Sequence, residues 1–503
     1  MPDLHLSDLV RRAAQLNGRR PASRFGDRHA TWAEHAARID ARAAGLVLLG
    51  VRAGDRVAIL AHNSDHMIET LFAIPRLGAI ATPLNTRLST IEIATQARDA
   101  DARVLVHDSA HADVAASLLA EGAVAHLGEL ERLGDGGVFA GAPRSGSEPA
   151  MLLYTGGTTG HPKGVVHSSR SLVMNAYQSA DLLGATDDLR FIHVAPLFHV
   201  GAISLAVAVA AQGGCHLPIG SFDPVGVVDI VETCGATHLT LVPTMISRML
   251  HAPTFDAARL STLRRVIYGA SPIPETLLTR AITALPWVSF AQSYGQTEAI
   301  TMTVLSPDRH VLHGQRAGKL RSAGMPAVGV EVFVRGPDGE EAPRGALGEI
   351  EARSESVMLG YWRQPELSAV TLHDGWIKTG DIGYMDEDGF VFVVDRAKDM
   401  IISGGENIYS IEVENALARH PSVLECAVIG LPDSDLGERV HAVVRFRQGM
   451  DASEAELSEH LRSLIARYKR PRSFTITEAS FPLSAAGKVL KRVLRDQLAA
   501  GQS

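Results

Sequence analysis

Short apolar runs alternate along the first half of the chain with longer stretches in which apolar residues recur at helical spacing. The clearest runs are Arg56-Val57-Ala58-Ile59-Leu60, Ala79-Ile80-Ala81-Thr82-Pro83-Leu84, Arg103-Val104-Leu105-Val106-His107 and Thr237-His238-Leu239-Thr240-Leu241-Val242. Strands alternating with helices predict parallel βαβ layers. Residues 122–148 are rich in Gly, Ala and Ser and read as a surface connector. After Pro326 the pattern shifts to short strands and turns: Val330-Glu331-Val332-Phe333-Val334, the turn Gly336-Pro337-Asp338-Gly339, then Gly348-Glu349-Ile350-Glu351. This predicts a β-rich lobe. The charged cluster Asp395-Arg396-Ala397-Lys398-Asp399 separates a strand over 390–394 from the apolar Met400-Ile401-Ile402, and a domain boundary is placed there. Beyond it, a Ser453/Glu456 capping box opens a helix with Leu457, Leu461, Leu464 and Ile465 on one face. The expected fold class is α/β: a large N-terminal domain over residues 1–395, made of layered α/β subdomains plus the β-rich lobe, and a small α+β C-terminal domain over 399–503. No internal repeat is evident.

Composition narrows the function classes. A chain of 503 residues with 46% hydrophobic content exceeds the size at which single cores divide into domains. The net charge of −8 and the scattered basic residues argue against nucleic acid as a partner. Cys215, Cys234 and Cys426 lack metal-like spacing and read as buried apolar fillers in a reducing compartment. Met1-Pro2-Asp3-Leu4-His5 has no basic start followed by an apolar core, so the cytoplasm is the expected location. Between Arg190 and Asp223 no Lys, Arg, Asp or Glu occurs, but the apolar part, from Ala202 to Ala211, is too short to cross a bilayer. A buried helix is predicted there; peripheral membrane contact stays open.

The densest chemistry lies in Tyr154-Thr155-Gly156-Gly157-Thr158-Thr159-Gly160-His161-Pro162-Lys163-Gly164, entered through the apolar Ala150-Met151-Leu152-Leu153. Glycines bring backbone N–H groups close to an anion, hydroxyls add donors, and Lys163 adds a point charge. The spacing is not that of a Walker A loop: counting on from Gly157 lands on Pro162, and Gly164 rather than Ser or Thr follows Lys163. A second cluster is Ser293-Tyr294-Gly295-Gln296-Thr297-Glu298, and others are Tyr268-Gly269-Ala270-Ser271-Pro272 and Trp376-Ile377-Lys378-Thr379-Gly380-Asp381. Each alone also reads as an ordinary turn or a solvated loop.

Together, and in this order, these segments resemble the adenylate-forming superfamily of acyl-CoA synthetases, luciferases and peptide-synthetase adenylation domains. The resemblance implies ATP, Mg²⁺ and coenzyme A as cofactors and cosubstrates. It implies a triphosphate grip at Thr155, Gly156, Gly157, Thr158, Thr159, Gly160 and Lys163. It further implies an adenine wall at Gly269, Ala270 and Ser271, nucleotide contacts at Tyr294, Gly295, Thr297 and Arg396, Glu298 as metal ligand, and Asp381 on the ribose hydroxyls. Lys488, within Pro482-Leu483-Ser484-Ala485-Ala486-Gly487-Lys488, matches the lysine that joins carboxylate and α-phosphate during adenylation. With Lys488, Glu298, Thr155 and His199 complete the implied catalytic set.

Residues 396–398 resemble the family hinge, with Lys398 at its pivot, and the resemblance implies a mobile small domain. Gly404, Gly405 and Glu406 then line the pantetheine path, and Arg87, Arg470 and Arg472 are candidates for the CoA phosphates. The acyl pocket falls near Tyr177, His199, Val200, Thr240, Gly269, Ser293, Gly295 and Ile300. Three positions depart from the family pattern: Gly156 replaces a hydroxyl residue, Ala202 a glycine, and Leu436 an aromatic of some relatives. Ser293 stands where malonate-activating relatives carry arginine, which disfavours a short dicarboxylic acid. The Pro-x-x-x-x-Gly-Lys arrangement ending at Lys488 resembles sites modified by regulatory lysine acetyltransferases, which implies such an enzyme as a partner.

The expected reaction is that of an acid–thiol ligase: a small-molecule monocarboxylic acid and ATP give acyl-AMP and pyrophosphate, and CoA displaces AMP. A medium- or long-chain fatty acid is favoured, with an aryl acid as the alternative. Two rivals stay open, an adenylating enzyme that loads a carrier protein and a catalytically silent nucleotide-binding module. Monomer and homodimer are equally compatible with the sequence.

Overall fold

The computed structural model describes residues 3–137, 139, 141, 145–155, 162–184, 188–483 and 489–500. The predicted apolar runs form the centres of two large sheets. In the seven-stranded sheet the spatial order is Gly360–Tyr361, Lys163–Ser168, Pro149–Thr155, Ile80–Pro83, Arg56–Leu60, Val104–His107 and His126–Glu129. From Pro149–Thr155 to His126–Glu129 neighbouring strands are parallel, and Lys163–Ser168 returns antiparallel. Four consecutive residues of Val104–His107 are buried, as expected of a strand covered on both faces.

The nine-stranded sheet has a parallel centre running Ser289–Tyr294, Arg265–Gly269, His238–Leu241, Arg190–His193, Cys215–Pro218 and Pro21–Phe25. One apolar core joins the two sheets: Val57 and Ile59 belong to it from one side, Phe191 and Ile267 from the other. The helix Val200–Gln212 lies inside this core with Ala202 to Ala210 all buried, which accounts for the uncharged stretch in the sequence. No helix among the described residues is long and apolar enough to cross a membrane.

The β-rich lobe is a five-stranded antiparallel sheet containing Val330–Arg335, Gly348–Ser354 and Trp376–Met385, with Val391–Arg396 paired to the last. A second five-stranded sheet, built on the long hairpin Val423–Asp433 and Gly437–Phe446, forms the C-terminal unit. Its helix Glu454–Arg462 opens with the predicted capping box: the Ser453 hydroxyl accepts from Glu456 N, and the Glu456 carboxylate accepts from Ser453 N at 2.8 Å.

Four details differ from the sequence reading. The 122–148 connector contains a strand, His126–Glu129, and a 3₁₀ turn, Leu133–Gly136, because the strand completes the edge of the parallel sheet. The strand expected to stop at Val394 continues through Asp395 and Arg396, since both keep pairing with Ile382 and Asp381. Leu464 and Ile465 lie beyond the helix end at Arg462, although both still pack on its core. Of the three free cysteines only Cys215 is buried; Cys234 and Cys426 are half-buried.

Candidate active site

The candidate residues gather where parallel strands of both sheets end. Thr155 closes Pro149–Thr155, Gly269 closes Arg265–Gly269, and Tyr294 closes Ser289–Tyr294. Carboxyl ends of parallel strands are where open α/β sheets form crevices. Gly156, Gly157, Thr158, Thr159, Gly160 and Lys488 lie outside the described residues.

At the two ends of the expected phosphate loop, Thr155 and Lys163 are direct partners across the antiparallel pair. The Lys163 ammonium stands 5.6 Å from the centre of the Tyr361 ring, and the Tyr154 hydroxyl donates to Asp99 Oδ2 at 2.5 Å. Both ends of the loop are thus pinned by side chains distant in sequence.

The segment over 293–298 makes a tight turn, and its glycine is dictated by sterics. A Cβ on Gly295 would stand 1.6 Å from the carbonyl oxygen of Ile300, so no other residue fits. Glu298 is half-buried, and its Oε1 accepts from the Tyr361 hydroxyl at 2.8 Å. His167, wholly buried, donates from Nε2 to the Thr297 carbonyl at 2.6 Å. Burial lowers its pKa to about 4, so it holds this backbone as a neutral imidazole. In the segment expected to wall the adenine, Ala270 takes a φ of 67°, in the left-handed region, directly after Gly269.

Asp381 is 4% exposed and sits among donors. Its Oδ2 accepts from the Tyr294 hydroxyl at 2.7 Å, and its Oδ1 lies 3.2 Å from Arg396 Nε. Burial and the adjacent carboxylate raise the Tyr294 phenol well above its ordinary pKa, so it remains a donor. The backbone N–H of Asp381 donates to Thr379 Oγ1, which in turn donates to the Ile350 carbonyl. Lys398 is exposed two residues beyond Arg396, within electrostatic reach of Asp381 and Lys163. The expected pivot therefore borders the expected nucleotide site.

The acyl-pocket candidates divide by environment. His199 precedes the first turn of Val200–Gln212, with Val200 beside it, and its ring lies 4.6 Å from that of Phe198. The Ser293 and Thr301 hydroxyls are 3.3 Å apart. Ile300 is buried at a φ of 52°. Thr240 lies on His238–Leu241 beside Ile267, and its Oγ1 is buried with no hydrogen-bond partner among the described residues. Tyr177, by contrast, is 49% exposed on the helix Ser169–Gln178.

The CoA candidates lie apart. Gly404 and Gly405, at φ of 60° and 83°, form the two-residue turn between Ile401–Ser403 and Glu406–Ile408, a geometry open to glycine. Glu406 is exposed beside it, and Arg87 is exposed near the end of Ile80–Pro83. The Arg470 guanidinium is engaged: it donates to the Ile465 and Arg462 carbonyls at 3.1 and 3.2 Å and caps the end of Glu454–Arg462. Arg472 donates its backbone N–H to Val440.

Sequence reasoning missed Tyr361, His167 and a network beside the hinge. Asp395 Oδ2 accepts from both the N–H and the hydroxyl of Ser410. The Lys491 ammonium reaches Ser410 Oγ at 2.5 Å and Glu414 Oε1 at 2.7 Å. This chain of contacts ties the end of the β-rich lobe to the helix Lys491–Ala500. The closeness of Lys491 in sequence to the matched motif ending at Lys488 is a signal that could have found it.

The AMP-binding enzyme model matches residues 10–362, and the AMP-binding enzyme C-terminal domain model matches 412–488. The chain belongs to the AMP-binding enzyme family. A feruloyl-CoA synthase of Amycolatopsis sp is 39% identical over 491 residues, spanning 96% of this chain and 97% of its own. A fatty acid–[acyl-carrier-protein] ligase of Streptomyces coeruleorubidus is 36% identical over 460 residues, spanning 89% of this chain and 88% of its own. ATP-bound MatB from Rhodopseudomonas palustris has the same fold, with a TM-score of 0.89 at 30% identity over 99% of this chain and 100% of that one.

Proposed function

We propose that this member of the family is an acid–thiol ligase that activates an aromatic monocarboxylic acid bearing a hydrogen-bonding ring substituent. The chemistry runs through an acyl-adenylate, with CoA as the acceptor. Thr240 carries the choice of acid: a buried hydroxyl without a partner costs about 1–3 kcal/mol, and an alkyl tail leaves it unsatisfied. A phenol or aryl ether offers a partner to that hydroxyl, given the pocket position that the family resemblance assigns to it. The similarity to a feruloyl-CoA synthase supports this reading over the fatty acid favoured by the sequence.

In the first step Asp381 accepts from the ribose hydroxyls, Thr155 and Lys163 grip phosphates, and Lys488 neutralises the approaching carboxylate and phosphate. Glu298 offers an all-oxygen anionic donor already fixed by Tyr361, which suits Mg²⁺, and the ion when bound supplies charge neutralisation at the triphosphate. In the second step the small domain turns at residues 396–398, withdrawing Lys488 and bringing Gly404 and Gly405 to the acceptor path. The domain limits 1–395 and 399–503 belong to this proposal.

The test is CoA-dependent AMP release across matched panels of hydroxylated or methoxylated aryl acids, unsubstituted aryl acids and fatty acids. Substituted aryl acids should give the highest kcat/KM, and Thr240→Val should erase their advantage over unsubstituted ones. Preference for medium- or long-chain fatty acids would refute the aryl reading. A second acceptor reading rests on the carrier-protein ligase similarity; adenylate that accumulates despite CoA and is consumed by a carrier protein would favour it.

A further inference from the structure

Apart from the residues assigned to the nucleotide, two neighbouring inner strands deliver three metal-ligating side chains just past their carboxyl ends in the seven-stranded sheet. Arg56–Leu60 and Val104–His107 run parallel, with Leu60 opposite His107. His62 follows the first strand, Asp108 follows the second, and His111 closes the 3₁₀ turn Ser109–His111. Backbone geometry fixes the carboxylate between the two rings. Asp108 Oδ2 accepts from His62 N at 2.8 Å, and Oδ1 accepts from His111 N at 3.1 Å. His62 Nδ1 lies 3.4 Å from Oδ2, and His111 Nδ1 lies 2.5 Å from Oδ1. One ligand atom from each residue falls within a 4.8 Å group.

The charge balance here is unusual. The Asp108 side chain is 14% exposed, yet no Lys or Arg nitrogen among the described residues pairs with it. A shielded carboxylate flanked by two imidazole rings, with no Lys or Arg partner among the described residues, is a place for a cation.

We propose that His62, Asp108 and His111 form a three-ligand site for a divalent transition-metal ion of the zinc class, with water in the fourth position. Two imidazole nitrogens and one carboxylate oxygen are a donor set of intermediate softness that suits Zn²⁺ rather than Mg²⁺. Each ring coordinates through Nδ1 and keeps its proton on Nε2. Bonds of about 2.0–2.1 Å at tetrahedral angles place ligand atoms roughly 3.3 Å apart. Asp108 and His111 are held by the strand end and the turn. His62, with a side chain 47% exposed, has room to rotate and close the remaining gap.

The next residue gives the site a route to the acyl pocket. Asn63 donates to the His193 and Ala195 carbonyls at 3.1 and 2.9 Å and accepts from Leu197 N at 2.8 Å. An ion that immobilises His62 therefore stiffens the segment leading to His199.

Isothermal titration of the full-length, metal-stripped chain with Zn²⁺ alone, without nucleotide, tests the site. One ion per chain should bind, and Co²⁺ in its place should give visible ligand-field bands. His62→Gln and Asp108→Asn should each weaken Zn²⁺ binding at least about tenfold, while Glu298→Gln leaves it unchanged. His62 is exposed, so that variant is expected to fold, which circular dichroism verifies. Absence of saturable binding by the wild type, or undiminished binding by folded His62→Gln, would overturn the proposal and leave a hydrogen-bonded capping cluster.

Discussion

Tyr294 and Asp381, 87 positions apart, are joined by a 2.7 Å hydrogen bond from the phenol to a carboxylate that is almost fully enclosed. The bond couples the segment carrying Glu298 to the carboxylate assigned to ribose. It also orients Asp381 while leaving acceptor capacity on its oxygens. Tyr294→Phe deletes one donor to a buried charge, an interaction worth about 1.5–3 kcal/mol. The KM for ATP should rise roughly tenfold or more, with a smaller change in kcat. An unchanged KM in a folded variant would show that the bond does not orient the ribose partner.

Glu298 is held by Tyr361 through one oxygen. Glu298→Gln removes the negative charge proposed to hold Mg²⁺, and on that proposal adenylation should fall by about a hundredfold, measured as acid-dependent pyrophosphate exchange. Tyr361→Phe should leave maximal exchange nearly intact and raise the Mg²⁺ concentration for half-activity. If both variants respond identically to Mg²⁺, the orienting role of Tyr361 is wrong.

His251 marks a contact between the two family-matched regions. Its Nδ1 lies 2.7 Å from the Ser247 carbonyl, which places the proton there, and Nε2 accepts from Arg280 at 3.1 Å and from Arg447 at 3.3 Å. Arg447→Ala removes the donor that comes from the C-terminal unit. Trypsin should then cut at Arg396 or Lys398 several-fold faster under native conditions. Equal cleavage rates would mean that this contact does not hold the domain arrangement.

Acid should destabilise the fold through its interior histidines. Burial lowers His35 and His193 to about 3 and His167, His238 and His310 to about 4, from an ordinary 6.5. His35, His193 and His216 form a buried stack, with ring centroids of the adjacent pairs 5.9 and 5.1 Å apart. Between these values and 6.5 the unfolded chain binds protons that the native one refuses. Stability is therefore full above that range and is lost as pH falls through it, by about 1.4 kcal/mol per unit per histidine. Urea midpoints should drop steeply from pH 6.5 to 5; a flat profile would contradict the neutral interior.

Much of the fold was legible because its strands are covered on both faces and are therefore written as unbroken apolar runs. Arg56–Leu60 appears with the predicted limits, and the other three runs shorten by one residue at one or both ends. The candidate site was legible where chemistry is concentrated in consecutive residues, as over 293–298. It was not legible where a partner lies on another element: nothing near Tyr361 marks it for Glu298, 63 positions away, and nothing near His167 marks it for Thr297. Arg470 shows the converse, an arginine whose guanidinium is taken up by helix-end carbonyls.

The sequence alone determined the layered α/β class, the buried helix over the uncharged stretch and the order of the nucleotide motifs, because periodicity and clustered turn residues are local properties. Tertiary structure alone decided which side chains meet. Sheet register pairs Asp381 with Arg396, and two parallel inner strands bring His62, Asp108 and His111 together past their carboxyl ends. Contacts across as many as 196 positions depend on strand order and crossover geometry, to which no local spacing corresponds.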